Sequence, residues 1–222
     1  EALDKIDEGE CSIVLDTTAF YGEGGGQVGD TGSLENENAT LTVNDTKKHD
    51  GVFVHLCPVE SGSVKVGDTL NGTVDKERRQ AIARNHSAVH LLQAALRKAL
   101  GDHVCQRGSN ITAERLRFDF SHPEKVTPEQ LKIVEDMVNE VIKAAIPVVM
   151  KEISLEEAKA EGFTGLFESK YGEVVKTYTI GDFSKEICGG PHVESTGKLG
   201  HFKIQKEQSS GSGIRRIKAI LE

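Results

Sequence analysis

Two kinds of hydrophobic pattern divide the chain. Across residues 1–75 the apolar positions come in short runs, at residues 12–15, 41–43, 52–56 and 64–66. Turn-forming pairs such as Asn44-Asp45, Asp50-Gly51 and Gly67-Asp68 separate them, and short runs between such breaks predict strands. Several short strands at this spacing point to a small barrel-like or curled sheet. From residue 76 the period changes. Ile82, Val89, Leu92, Leu96 and Leu100 mark one face of a helix over residues 76–100. Gly101 stands where a glycine helix stop is expected. The switch sets the expected boundary: a glycine-rich β-barrel-like subdomain at 1–75, then a second domain at 76–222.

The second part mixes both periods. Residues 116–120 alternate like a half-buried strand. Thr127-Pro128-Glu129-Gln130 has the form of a capping box with Pro at the first helical position, opening a helix to about residue 145. Residues 147–150 read as a strand. Ser154-Leu155-Glu156-Glu157 has the form of a second capping box, on a short helix that Gly162 stops. Further strands are expected at 174–180, 199–204 and 214–221. The class is α+β, with helices packed on one face of a mostly antiparallel sheet.

Composition narrows the picture. The 222 residues suit one mid-sized domain or two small ones. Hydrophobic residues at 37% and charged residues at 28% exclude a mostly disordered chain. No apolar run approaches the ~18–20 residues of a membrane span, and the polar start carries no signal peptide. Glu1 in place of Met predicts a chain processed or cut from a longer one. Thirty-five acidic against 27 basic residues give a net charge of −8, against a protein that grips nucleic acid by net charge alone. Cys11, Cys57, Cys105 and Cys188 form no CxxC, which points to a reduced, cytoplasmic protein.

The candidate chemistry lies in two places. His86 and His90 are four apart on the expected helix, so their rings leave the same face. Downstream, Cys188-Gly189-Gly190-Pro191-His192 is a tight loop that can aim a thiolate and an imidazole at one point. Three nitrogens and a sulfur suit tetrahedral Zn²⁺. Taken singly, each motif has a plainer reading: helix histidines that pack or bond carboxylates, and a cysteine that fills space. There is no HExxH, so zinc-protease chemistry is disfavoured. The other place is residues 16–30, DTTAFYGEGGGQVGD. Its glycines allow close approach of backbone to a ligand, which makes Gly25 and Gly26 candidate substrate contacts, or of backbone to backbone in a sharp pair of β-turns. It is not a P-loop, because no GK[ST] follows.

The segment DTTAFYGEGGGQVGDTG resembles the glycine-rich motif of the editing region of alanyl-tRNA synthetases and of the freestanding alanyl-tRNA editing proteins. The resemblance continues through RNHSAVHLLQAAL, HVCQRGSNITAERLRFDFSH, LFESKYGEVVK, CGGPHVESTG and GSGIRRIKAI, in family order and over nearly the whole chain. It implies an aminoacyl-tRNA deacylase that hydrolyses the 3′-terminal ester of tRNA for alanine mischarged with serine or glycine. The need for such a site is physical. A pocket sized for alanine cannot strongly reject glycine, or serine with one added hydroxyl. The resemblance implies His86, His90, Cys188 and His192 as zinc ligands, Thr18 as the reader of the serine hydroxyl, Gln106 as a pocket residue, and Gln27 as a substrate contact that shapes the pocket floor. Cys188 is then a catalytic candidate as well as a ligand.

Several alternatives stay open. The alanine family usually has Thr where this chain has Pro191, and CxGPH with HSAxHLL is similar to the editing domain of threonyl-tRNA synthetases, which removes serine from another tRNA. The zinc either activates water or only staples the loop to the helix. A non-catalytic module binding tRNA ends is the competing class. For tRNA contact the candidates are Arg79 and Arg84 on the helix and Arg215 and Arg216 near the end, with Lys76, Arg78 and Lys218 beside them; their plain reading is solvated charge. The expected partners are the CCA end of tRNA and the rest of a synthetase chain, with no membrane.

Overall fold

The computed structural model describes residues 4–165 and 171–222. Residues 166–170, within the motif LFESKYGEVVK, lie outside the described residues. The chain separates into two compact units, Glu1–Gln80 and Ala81–Glu222.

The first unit is all β apart from the opening turn of a helix. Its strands are β1 (Lys5–Ile6), β2 (Glu10–Val14), β3 (Gly32–Glu35), β4 (Ala39–Val43), β5 (Asp45–His49), β6 (Val52–Gly62), β7 (Val64–Lys65) and β8 (Asn71–Val74). Five pair in the order β2-β6-β4-β3-β8, β5 pairs with β6, and β1 with β7. Every pairing is antiparallel. Phe20, Leu34, Leu41, Val43, Cys57 and Val64 form the buried core. On β4 the burial alternates strictly, so Ala39, Leu41 and Val43 face inward while Thr40 and Thr42 face outward. Asn44-Asp45 divides two strands as expected, although Asp45 itself opens β5.

The second unit holds most of α1 (Lys76–Leu100), then β9 (Gln106–Ile111), β10 (Leu116–Ser121), α2 (Pro128–Lys143), β11 (Val148–Ser154), α3 (Leu155–Ala160), β12 (Val174–Ile180), β13 (Ser184–Ile187), β14 (Phe202–Gly211) and β15 (Ile214–Leu221). The strands form two sheets, β14-β15-β10-β9 and β11-β12-β13, rather than the single sheet expected. All registered pairs in both are antiparallel. Helix α1 ends as its glycine requires: Gly101 takes φ +115 and its N–H bonds the Arg97 carbonyl at 2.9 Å.

Side-chain clamps hold helices to sheet edges. Asn139 on α2 donates to the Phe202 carbonyl and accepts from the Phe202 N–H, both at 2.9 Å. Glu135 accepts from Ile204 N at 2.6 Å. These bonds satisfy backbone groups of the edge strand β14, which would otherwise offer themselves for pairing. Asn85 on α1 donates to the Thr112 and Ala113 carbonyls at 3.1 and 3.0 Å, pinning the β9–β10 turn.

The strand expected at 199–204 is displaced. Leu199 closes a 3-10 turn over Thr196–Lys198, and Gly200 takes φ +85, so extension starts only at Phe202.

Candidate metal centre

Helix α1 presents two buried imidazoles. His86 and His90 leave the same face, with ring centroids 5.4 Å apart. The loop that follows β13 supplies the other two groups. Cys188 N–H bonds the Lys176 carbonyl of β12 at 3.0 Å, and the Tyr178 hydroxyl donates to the Gly190 carbonyl at 3.0 Å. These bonds fold the loop back so that Cys188 and His192 face α1. Cys188 Sγ lies 3.3 Å from His86 Nε2 and 3.4 Å from His192 Nε2. One ligand atom from each of the four residues falls within 4.8 Å of every other.

The spacing can be tested against the donor chemistry. Tetrahedral zinc at ~2.0–2.1 Å from nitrogen and ~2.3 Å from sulfur sets its ligand atoms about 3.3–3.6 Å apart. At 3.3 and 3.4 Å the two sulfur–nitrogen distances lie close to that spacing. Three imidazoles and a thiol so placed are consistent with zinc.

The protonation states agree with a ligand role. Burial lowers His86 to about 4. Burial, and then the neighbouring histidines, lower His90 and His192 well below 6.5. All three rings are thus neutral at pH 7, as ligation requires. Burial pushes the Cys188 thiol up to about 12, so a metal would have to displace its proton. Ser87 Oγ lies 3.0 Å from His192 Nδ1 and accepts the Val193 N–H at 3.1 Å. It fixes the ring with Nε2 turned to Cys188. The Tyr178 ring packs 4.2 Å from that of His192. Glu186 Oε2 faces His90 Nδ1 at 3.6 Å, and burial raises its carboxyl to about 8.

Ser87, Tyr178 and Glu186 escaped the reading of the sequence. Ser87 sits inside the HxxxH spacing and Glu186 two residues before Cys188, but which neighbours turn toward a ligand depends on the fold.

The first unit holds Thr18 and the glycine-rich candidates. Gly24 and Gln27 exchange backbone bonds at 3.1 and 2.9 Å around Gly25 (φ +60) and Gly26 (φ +83). Two consecutive positive φ values make a tight reversal in which glycine is favoured at both positions. Gly29 is needed for another reason: a Cβ there would lie 2.0 Å from the Thr46 carbonyl oxygen. Gln27 is fully buried. Thr18 is half-buried, and its hydroxyl lies 2.8 Å from His55 Nε2.

Gln106 opens β9 and donates to Ser109 Oγ at 3.2 Å; it is not part of the histidine–cysteine tetrad. Three of the four arginines put forward for RNA have protein partners. Arg79 binds the buried Asp30 and the Ala19 carbonyl. Arg215 pairs with Glu207 at 2.5 Å. Arg216 grips Asp119 with two bonds, at 2.6 and 2.7 Å. Arg84 is exposed on α1.

Comparison with known proteins places this geometry. Residues 1–78 match the family described as tRNA synthetases class II (A), and residues 175–218 match the threonyl and alanyl tRNA synthetase second additional domain. Alanine–tRNA ligase of Wolbachia pipientis is 50% identical over 222 residues, 99% of this chain. Those of Rhizobium meliloti and Acetivibrio thermocellus are 49% and 47% identical, over 94% and 99% of it. Over nearly its whole length the chain is similar to one part of the alanine–tRNA ligases. It spans about a quarter of the length of these relatives, since each match covers 25% of the ligase. The match to the second additional domain includes both Cys188 and His192. No helix among the described residues is long and apolar enough to cross a membrane.

Proposed function

We propose that this chain is a proofreading hydrolase, which cleaves the ester joining serine or glycine to the 3′-terminal adenosine of tRNA for alanine. The observation that carries the reading is the His86–His90–Cys188–His192 tetrad, its ligand atoms within 4.8 Å of one another, in a chain about half identical to alanine–tRNA ligases along nearly its whole length.

In this reading the four residues hold zinc, which fastens the Cys188–His192 loop to α1 and supplies positive charge that can polarise a water or the substrate. Four protein ligands already complete a tetrahedron, so the fastening role comes first. Ser87 and Tyr178 orient His192. Thr18 bonds the serine hydroxyl; alanine, with no hydroxyl, leaves that polar group unpaired, and glycine, which lacks the hydroxyl too, is released without help from this bond. The Gly25-Gly26-Gln27 turn on the first unit and Gln106 on the second are the further residues assigned to substrate contact. The tRNA is held through its CCA end and a few phosphates, with exposed Arg84 the first candidate among the arginines.

The test is hydrolysis of serine from tRNA for alanine, with alanine on the same tRNA as control. Fast loss of serine alone is expected. Pro191 favours one second reading, serine on tRNA for threonine. Loss of serine from that tRNA, with the alanine tRNA left intact, would replace the first reading by the second. Tight binding of both tRNAs without hydrolysis would leave a binding module.

A further inference from the structure

Thr18 is held by a neighbour that neither its own motif nor the metal centre accounts for. His55 lies on β6, fully buried, at the inward-facing position two before buried Cys57. Its Nδ1 is 3.0 Å from the Ile13 carbonyl oxygen and its Nε2 is 2.8 Å from Thr18 Oγ1. A carbonyl oxygen only accepts, so Nδ1 carries the ring proton and Nε2 is the bare acceptor. The Thr18 hydroxyl therefore donates to Nε2. The same oxygen accepts the Phe20 N–H at 3.1 Å. The Phe20 ring meets the imidazole edge-on, with centroids 5.2 Å apart at 90°, and fixes its plane. The hydroxyl's one proton and one of its two lone pairs are thus committed; the other lone pair remains.

We propose that His55 is a positioning residue that turns Thr18 into a hydrogen-bond acceptor only, so that the site selects an aminoacyl group whose side chain donates. The inference rests on the reading of Thr18 given above and deepens it. Serine donates through its hydroxyl; glycine and alanine have no side-chain donor. Without His55 the Thr18 proton is free to rotate into the space the serine hydroxyl needs, and the direction of the remaining lone pair is lost.

The test is single-turnover hydrolysis by the 222-residue protein of tRNA for alanine charged with serine or with glycine. His55→Leu is expected to slow serine release about tenfold, the scale of one lost hydrogen bond, and to leave glycine release within about twofold. His55→Gln, whose Oε1 can accept from Thr18, restores the serine rate, while the shorter His55→Asn does not. A structural role alone would not move this ratio. An equal fall on both substrates would make His55 a packing residue and overturn the proposal. So would an unchanged serine rate in His55→Leu where Thr18→Val loses it. An unchanged serine rate in Thr18→Val would overturn the reading of Thr18, and the proposal with it. No hydrolysis by the unaltered protein would overturn the functional reading and everything built on it. If the leucine variant fails to fold, the glutamine and asparagine variants carry the same comparison.

Discussion

His86, His90, Cys188 and His192 stand close enough together to hold a metal ion. His86 and His90 were legible because a helix turns a four-residue separation into a shared face. Cys188 and His192 were legible because glycine and proline between them imply a tight loop. His55 was not, because a lone histidine in an apolar strand carries no mark of its partner, here 37 residues away. Arg79 illustrates the opposite case, since a sequence shows its charge but not its commitment. Its guanidinium neutralises Asp30, 1% exposed, which also accepts the Tyr21 N–H at 2.6 Å and so closes the glycine-rich segment. Arg79→Ala would leave that carboxylate buried and unpaired. The expected loss is about 2–3 kcal/mol, below the ~3–5 of a fully buried pair because the Arg79 side chain keeps 33% of its surface in water. Urea unfolding measures it. An unchanged midpoint would mean that Asp30 does not depend on Arg79.

Helices were read more accurately than strands, for a reason visible at their ends. Thr127 accepts the Gln130 N–H at 3.2 Å, and the Gln130 side chain accepts the Thr127 N–H at 2.9 Å, so the capping box is reciprocal. At α3 the bond seen is from Glu157 N to Ser154 Oγ, 3.1 Å. Thr127→Ala should cost about 1 kcal/mol and leave zinc content unchanged. Equal stability in thermal unfolding would show that the cap is redundant. Strands β9 (QRGSNI) and β13 (SKEI) went unread because neither alternates apolar with polar. Their extension comes from pairing with β10 and β12, contacts made at long range. That β13 was missed matters, because it delivers Cys188.

At the scale of the whole molecule the α+β class follows from the two hydrophobic periods, but the division of the second unit's strands into two sheets does not. It is set by which strands meet, and the patterns are alike in both. The buried ionisable groups make a joint prediction for the metal-free protein. Histidines lowered from 6.5 on folding leave the unfolded chain binding more protons below that pH, so stability falls as pH drops below about 6.5. His86 alone accounts for on the order of 3 kcal/mol once fully titrated. Glu186 acts in the other direction. Its folded value of about 8 exceeds the ordinary 4.5, so its contribution falls as pH rises between the two. At pH 6.5 the three histidines of the unfolded chain are still half protonated and outweigh the one carboxyl, so Glu186 prevails only from about pH 7 upward. The Tm of chelated protein should therefore peak a little below pH 7 and fall on both sides. A flat profile from pH 5 to 8 would contradict the burial of these groups.

If the histidine–cysteine tetrad is the zinc centre of an editing hydrolase, metal and activity must move together. The decisive experiment follows serine release from tRNA for alanine as zinc is stripped by a chelator and then returned, with bound metal measured at each step. Serine release is expected to fall in proportion to bound zinc, to return with it, and not to be restored in Cys188→Ala. Full hydrolysis by protein shown to hold no metal would contradict that assignment.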